Sequence, residues 1–569
     1  MTPRPCHTAE TIDRYRADGW WTDDTVDDLF RGTVDRHPDR IAVIDPPNKP
    51  DLTGIESREL TWAELDTEVW RFAAVLLRQG LRQGDVVMVQ MPNTVEYVTA
   101  YLAAWRLGLI VSPVPVQYRE HEFAAMATAA RARAIITICR AGDRRLADDL
   151  VALRGALADV HTVLAFGSEI PAGAVDAIGA VREVASLDEV RDYVATHPAD
   201  PNDCLTICWT SGTTSTPKGV PRCHYDWLAV SRATTEAATV SGADVMLNPF
   251  PMVNMASISG MLLPWLLTGC VLVQHHPFDL PTFLTQIARH GVTYTVAPPA
   301  LLAMLLQNEA LISQADLSSL RLIGSGSAPL QPWMVRGWQD TYGIGIINFF
   351  GSNEGLGLNS TPGQIPDPTE RACFFPRYGS ERYRDCMVGR WTDMKLVDPV
   401  SGEEITQPGV VGELRFKSPT VFGGYLDAES VDSPFDEDGY LRSGDLFSIA
   451  GENDEFLLYA DRSKDLIIRG GMNIAPAELE GLIAEHPSVR ETSVVGYPDD
   501  VLGERVRAVV VLEDGASLSI EDLTEFLRER KIASYKLPER LDVRDELPRN
   551  ALGKILKRDL RTDAAGVAG

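Results

Sequence analysis

Residues Trp209–Val220 read W-T-S-G-T-T-S-T-P-K-G-V. The preceding Cys204-Leu205-Thr206-Ile207-Cys208 is a short apolar, β-leaning run, so this stretch predicts a strand that opens into a loop of small residues. Thr210, Ser211, Gly212, Thr213 and Thr214 precede Lys218, which closes the loop with a cation. Small residues let the backbone approach a ligand, amides and hydroxyls donate, and the lysine neutralises; that set suits a polyphosphate. A solvated loop has the same composition, so the segment alone leaves both readings open. It is not a Walker A loop, because Gly219 follows Lys218 where that motif has a metal-holding Ser or Thr.

The chain of 569 residues exceeds what one hydrophobic core supports, so two or more domains are expected. Its 45% apolar and 23% charged composition is that of a globular protein. A net charge of −27 disfavours nucleic acid and anionic membranes as partners. An anionic nucleotide would need positive charge concentrated at its site. No run approaches the roughly 20 apolar residues of a membrane span, and the first residues lack the apolar stretch of a signal peptide. The eight cysteines are scattered without a C-x-x-C, which suits reduced thiols. A cytoplasmic protein is expected.

Helix and strand patterns alternate over most of the chain. Asp23 to Arg36 and Trp62 to Gln79 have amphipathic spacing, the second preceded by Thr61 with Glu64 at the capping-box position. Asp85 to Met91 reads as a strand and Val95 to Leu107 as an apolar helix. Such alternation implies βαβ units and an α/β fold of wound parallel sheets. From about 387 to 460, short β-like pieces separated by Gly, Pro and Asp suggest a small β-barrel-like subdomain. Beyond Asp461 an α/β pattern returns over a length typical of an independent domain.

Further motifs follow in order. They are G-S-G-S-A-P-L at Gly324–Leu330, N-F-F-G-S-N-E-G at Asn348–Gly355 and Y-L-R-S-G-D-L at Tyr440–Leu446. Then come D-R-S-K-D-L-I-I-R-G-G-M-N-I-A-P-A-E-L-E at Asp461–Glu480 and L-P-R-N-A-L-G-K-I-L-K-R-D-L-R at Leu547–Arg561. With the 209–220 loop, these resemble the acyl- and aryl-adenylating enzymes over nearly the whole chain. The openings R-Y-R-A-D-G-W-W-T-D-D-T and H-P-D-R-I-A-V-I-D are similar to those of the medium-chain and cyclohexanecarboxylate CoA ligases and the aryl-acid AMP ligases.

The resemblance implies a domain for ATP and the acid over 1–461, a hinge at 462–466 with Lys464 as pivot, and a small mobile α/β lid over 467–569. Ser327, Ala328 and Pro329 would form the adenine loop with Gly326, and Asn348, Phe350, Gly351 and Ser352 would continue the site, Phe350 stacking on adenine. Glu354 would hold Mg²⁺, an oxygen ligand suited to that hard cation. Asp445 would bind ribose and Arg462 ribose or phosphate. Gly470 and Gly471 would flank the thiol channel, and Lys554 would be the catalytic lysine. Two departures stand out: Ser215 replaces a glycine, and Asn353 replaces a threonine whose hydroxyl donates toward the α-phosphate, keeping a donor but changing its reach.

The implied reaction is ATP-dependent activation of a carboxylic acid followed by transfer to CoA, with ATP, acid and CoA as partners and a homodimer as one possible assembly. Loading of a separate carrier protein is the nearer alternative. It is disfavoured by P-M-V-N-M at Pro251–Met255, where the aryl-acid branch carries a His-Asn pair. A non-catalytic adenylate-binding protein would need damaged motifs, and Lys218, Glu354, Asp445, Arg462 and Lys554 are all present. No fused carrier domain is expected after Lys554. The acid would meet Asn254, Met255, Gly326 and Ser352, a set without a cation.

Overall fold

The computed structural model describes residues 6–565 except 211–217, 314, 385, 428–432, 463, 464, 466, 470, 471, 475, 500, 501, 531, 533 and 550–554. Helices form where apolar spacing and capping chemistry agree. Trp62–Arg78 opens on a capping box, in which Thr61 accepts from the Glu64 amide and Glu64 accepts from the Thr61 amide. Such a cap contributes about 1 kcal/mol. Thr25 and Asp28 repeat the device at Val26–Arg36. Val95–Arg106 has no polar stripe and is accordingly buried on every side.

The intervening strands form two large sheets. The first runs in the order Val175–Asp176, Thr162–Phe166, Ala134–Ile138, Val86–Gln90, Ile110–Pro113, Cys204–Thr210 and Lys218–Cys223. Its pairings are parallel until Cys204–Thr210 turns back antiparallel onto Lys218–Cys223. Val86–Gln90 and Ala134–Ile138 are buried at every residue, which is why they read as unbroken apolar runs. The second sheet runs Glu59–Thr61, Ile41–Ile44, Val271–Gln274, Val245–Asn248, Tyr294–Val296, Leu322–Gly326, Gly345–Ser352 and Gly355–Ser360, parallel inside and antiparallel at both edges.

Contacts divide the chain into two compact units. One holds Met1–Arg371, Arg390–Thr392 and Lys417–Asp436, and the other Ala372–Gly389, Asp393–Phe416 and Glu437–Gly569. The second unit contains a six-stranded sheet that includes Asp393–Val397, Val411–Lys417, Leu441–Ala450 and Phe456–Arg462, where the sequence suggested short β pieces. It also contains an α/β layer in which Val489–Asp499 and Gly503–Leu512 pair antiparallel over a core of Ile467, Ile474, Leu479, Val494, Val506, Leu523 and Leu527. The α/β class expected from the alternation is therefore present, with a large N-terminal part built on parallel sheets and a smaller C-terminal part. All eight cysteines are free thiols, and no described helix is long and apolar enough to cross a membrane.

The N-terminal segment is strapped to the first unit through the helix His224–Ala238. The His7 amide donates to Asn202 Oδ1 at 2.9 Å, and His7 Nε2 lies 3.1 Å from Asp226 Oδ2. Trp21 stacks on Tyr225 with centroids 4.7 Å apart. Burial alone would discharge the His7 ring, but the Cys223 sulfur and the Asp226 carboxylate outweigh it and push the imidazole up to about 9. A raised folded-state value contributes stability that is complete below the unfolded histidine value of about 6.5 and is lost as pH rises through about 9. Replacing His7 by Ala leaves Asp226 short of a buried partner and should cost roughly 3 kcal/mol near pH 7. Urea unfolding of both proteins at pH 7 and pH 10 checks this; a deficit that fails to shrink at the higher pH would show that the charge of His7 does not carry the effect.

Candidate active site

Cys204–Thr210 and Lys218–Cys223 pair so that Thr210 faces Lys218 and Trp209 faces Gly219. The chain therefore leaves and re-enters the sheet at adjacent points, as a loop gripping a small ligand requires. Ser211, Gly212, Thr213 and Thr214 lie outside the described residues. Lys218 is half-buried, with its Nζ 4.9 Å from the centre of the Tyr425 ring.

The hairpin Gly345–Ser352 and Gly355–Ser360 closes where Ser352 pairs with Gly355, placing Asn353 and Glu354 at its two-residue tip. Four bonds fix that tip. Asn353 Oδ1 accepts from the Met255 amide at 2.9 Å, and Asn353 Nδ2 donates to the Trp209 carbonyl at 3.3 Å. Arg222 donates to the Asn353 carbonyl at 2.9 Å, and Phe422 donates to the Glu354 carbonyl at 2.9 Å. The amide at position 353 is thus engaged with backbone on two sides, joining the segment after Asn254 to the strand that enters the 210–218 loop. Glu354 Oε1 accepts from the Tyr425 hydroxyl at 2.9 Å, while Oε2 accepts no bond from a described residue. A half-buried carboxylate with one oxygen held and the other open fits a hard divalent cation.

On the neighbouring strand, Gly324 and Gly326 are glycines because of close approach. A Cβ on Gly324 would stand 2.8 Å from the Tyr294 hydroxyl, and one on Gly326 would stand 2.3 Å from the Phe349 carbonyl oxygen. Ser327 then takes φ of +71°, a left-handed value uncommon for a residue with a side chain. Ser327, Ala328 and Pro329 are exposed in the turn that leads to the helix Pro332–Tyr342. Asn348 faces Ser325 across the sheet and donates to the Arg371 carbonyl at 3.3 Å, and Phe350 is half-buried beyond it. Gly351 and Ser352 are exposed.

Asn254 stands at the N-cap of the short helix Met255–Ser257, yet its side chain makes no capping bond and its Oδ1 is buried without a partner among the described residues. A π-helical turn, Ile258–Leu262, follows before Leu263–Thr268. Pro264 has no N–H for the Gly260 carbonyl, so a regular α ladder cannot pass this point. Insertions of this kind often accompany functional sites.

In the second unit, Asp445 and Arg462 are direct register partners on antiparallel strands. The Arg462 side chain, Lys464, Gly470, Gly471 and Lys554 fall outside the described set. Two residues central to this geometry, Arg222 and Tyr425, were not singled out from the sequence. Each is a polar residue in an otherwise unremarkable strand or loop, and only its partners from distant segments give it meaning.

A wound α/β domain that carries a small-residue loop closed by lysine beside a carboxylate-tipped hairpin, and is followed by a smaller α/β domain, defines the adenylate-forming ligases. Residues 30–426 match the AMP-binding enzyme family and residues 478–554 match the AMP-binding enzyme C-terminal domain. The chain belongs to this family of adenylate-forming enzymes. It is 30% identical to 4-coumarate--CoA ligase 3 of Oryza sativa subsp. japonica over 91% of this chain and 89% of that one. It is 31% identical to the salicyl-AMP ligase / salicyl-S-ArCP synthetase of Mycobacterium tuberculosis over 97% and 92%. Among solved structures, ATP-bound MatB from Rhodopseudomonas palustris superposes with a TM-score of 0.79 at 26% identity, covering 95% of this chain and 99% of that one.

Proposed function

We propose that the protein is an ATP-dependent acid–thiol ligase that activates a carboxylic acid as its acyl-adenylate and transfers the acyl group to coenzyme A. The observation that supports this best is the bonded network joining Lys218, Tyr425, Glu354, Asn353, Trp209 and Met255. It links a cation and a carboxylate to the phosphate-loop strand and to the segment proposed to meet the acid.

In the first half-reaction a carboxylate oxygen attacks the α-phosphorus, the bond to the α–β bridging oxygen breaks, and its electron pair leaves with pyrophosphate. Two anions must meet, so positive charge placed between them lowers the barrier. Lys218 and the 210–214 loop neutralise the departing phosphates, and Lys554 bridges the attacking oxygen and the α-phosphate. Glu354 would hold the Mg²⁺ carried with ATP, which would supply further charge neutralisation when bound. Phe350 stacks on adenine against the Ser327–Pro329 turn, and Asp445 with Arg462 holds the ribose. In the second half-reaction the thiol sulfur attacks the carbonyl carbon of the mixed anhydride, the thiol proton passes to solvent, and AMP leaves. Lys464 serves as pivot between the two steps, and Gly470 and Gly471 leave room for the pantetheine arm.

The acid is bulky or oxygenated, an acyl or aryl acid larger than propionate. Asn254 Oδ1 is buried without a partner among the described residues, at a cost of about 1–3 kcal/mol that a donor on the bound acid would relieve. ATP–pyrophosphate exchange over a panel of acids, followed by AMP release with free CoA, tests the reading. We expect acetate and propionate to rank last in catalytic efficiency and CoA to be consumed at sub-millimolar concentration. Acetate ranking first would overturn the assignment of the pocket. If adenylate forms and CoA is untouched while a phosphopantetheinyl carrier protein is acylated, the carrier-loading reading replaces this one. That second reading is supported by the likeness to the salicyl-AMP ligase.

A further inference from the structure

Tyr425 touches both charged side chains of the nucleotide end of the site. Its hydroxyl donates to Glu354 Oε1 at 2.9 Å, and Lys218 Nζ lies 4.9 Å from its ring centre. The surrounding backbone allows little alternative. Leu426, the next residue, donates to the Gly219 carbonyl at 3.0 Å, beside Lys218. Three residues earlier, Phe422 donates to the Glu354 carbonyl, and its ring meets Tyr425 edge-on at 5.1 Å. Arg222 donates to the Thr420 carbonyl at 2.6 Å and to the Asn353 carbonyl at 2.9 Å, so one guanidinium fixes the spacing between the tyrosine loop and the glutamate hairpin.

We infer that Tyr425 is a positioning residue with two separable parts. Its hydroxyl holds one oxygen of Glu354 so that the other is aimed at the nucleotide-bound metal, and its ring is the platform over which Lys218 is held for the phosphates. A hydrogen bond to a carboxylate restricts rotamers that would otherwise be lost on metal binding. An aromatic face attracts an ammonium electrostatically without neutralising it, so Lys218 keeps its charge for a phosphate. The inference rests on the reading of Glu354 as the metal ligand.

Tyr425→Phe removes the hydroxyl and keeps the ring, whereas Tyr425→Leu removes both. Two readouts separate the parts: Mn²⁺ affinity in the presence of ATP, by electron paramagnetic resonance on the full-length protein, and the kcat and KM of pyrophosphate exchange. The Phe variant should weaken Mn²⁺ about tenfold, the scale of one hydrogen bond to a charged group, while the KM for ATP at saturating metal changes little. The Leu variant should add a rise in the KM for ATP. In the Glu354→Gln background, Tyr425→Phe should cost nothing further in Mn²⁺ affinity, because the group it acts through is already altered. Unchanged Mn²⁺ affinity in the Phe variant, or equal losses with and without Glu354, would overturn the inference and leave Tyr425 a packing residue. If no acid supports exchange, the proposed reaction fails, yet the Mn²⁺ measurements still decide the role of Tyr425.

Discussion

Replacing Lys554 by Ala should slow adenylation by about a hundredfold or more and leave thiol attack on ready-made acyl-adenylate nearly intact. The magnitude is that of removing one charge donor aimed at a developing transition state. The chain on both sides of 550–554 is pinned: Arg549 and Ile555 form a β-bridge, and Leu556 donates to the Pro548 carbonyl at 2.8 Å. The effect can therefore be separated from loss of local structure by a neighbouring lysine. Lys557 Nζ is spent on Glu480 at 2.9 Å, and although burial opposes its charge, Glu480 and Asp461 keep it above its ordinary value. Lys557→Ala removes the same charge three residues later and should reduce stability with far less effect on pyrophosphate exchange. Equal kinetic damage from both substitutions, or equal damage to both half-reactions in Lys554→Ala, would refute the assigned role.

Arg222→Ala should produce the largest loss of stability of any single change near the site, at least about 3 kcal/mol. Its side chain is fully buried and committed on every side. Nε donates to Asp226 at 2.9 Å, the two terminal nitrogens reach the Asn353 and Thr420 carbonyls, and the group lies 4.6 Å from the Trp227 ring centre. Its removal leaves the buried Asp226 carboxylate, the buried Thr420 carbonyl and the part-buried Asn353 carbonyl short of a donor, which costs more than the bonds themselves contributed. Arg222→Lys should recover little, because a single ammonium cannot reach partners that diverge as a planar fork allows. Urea denaturation gives the stability, and pyrophosphate exchange on the protein that remains folded gives the effect on the site. A lysine variant with native stability would sink this account.

The readable parts of this fold were those in which local chemistry and packing demand the same residues. Thr61 and Glu64 announced the start of Trp62–Arg78 because a capping box uses side chains three residues apart. Val86–Gln90 was legible because both faces of a parallel strand are buried. Lys218 and Glu354 were singled out through their surrounding motifs, whose residues are contiguous in the chain. Asn353 was read as a donor toward phosphate in place of a threonine. Its partners, Met255 and Trp209, are 98 and 144 residues away in the chain, and no local pattern encodes them. Asn254 occupies an N-cap position by backbone, yet its side chain leaves the cap unmade.

The sequence by itself determined the α/β class and the order of the motifs, because these depend on contiguous residues and on periodicity, whereas the roles proposed for Lys218, Glu354 and Asp445 rest on the family resemblance that those motifs carry. Only the tertiary structure decided that Tyr425 stands between Lys218 and Glu354, and that Arg222 ties the segment carrying Tyr425 to the hairpin carrying Glu354. The physical reason is that a buried guanidinium or phenol must satisfy its donors wherever acceptors exist. In this fold those acceptors are brought by strands and loops that the chain order keeps far apart.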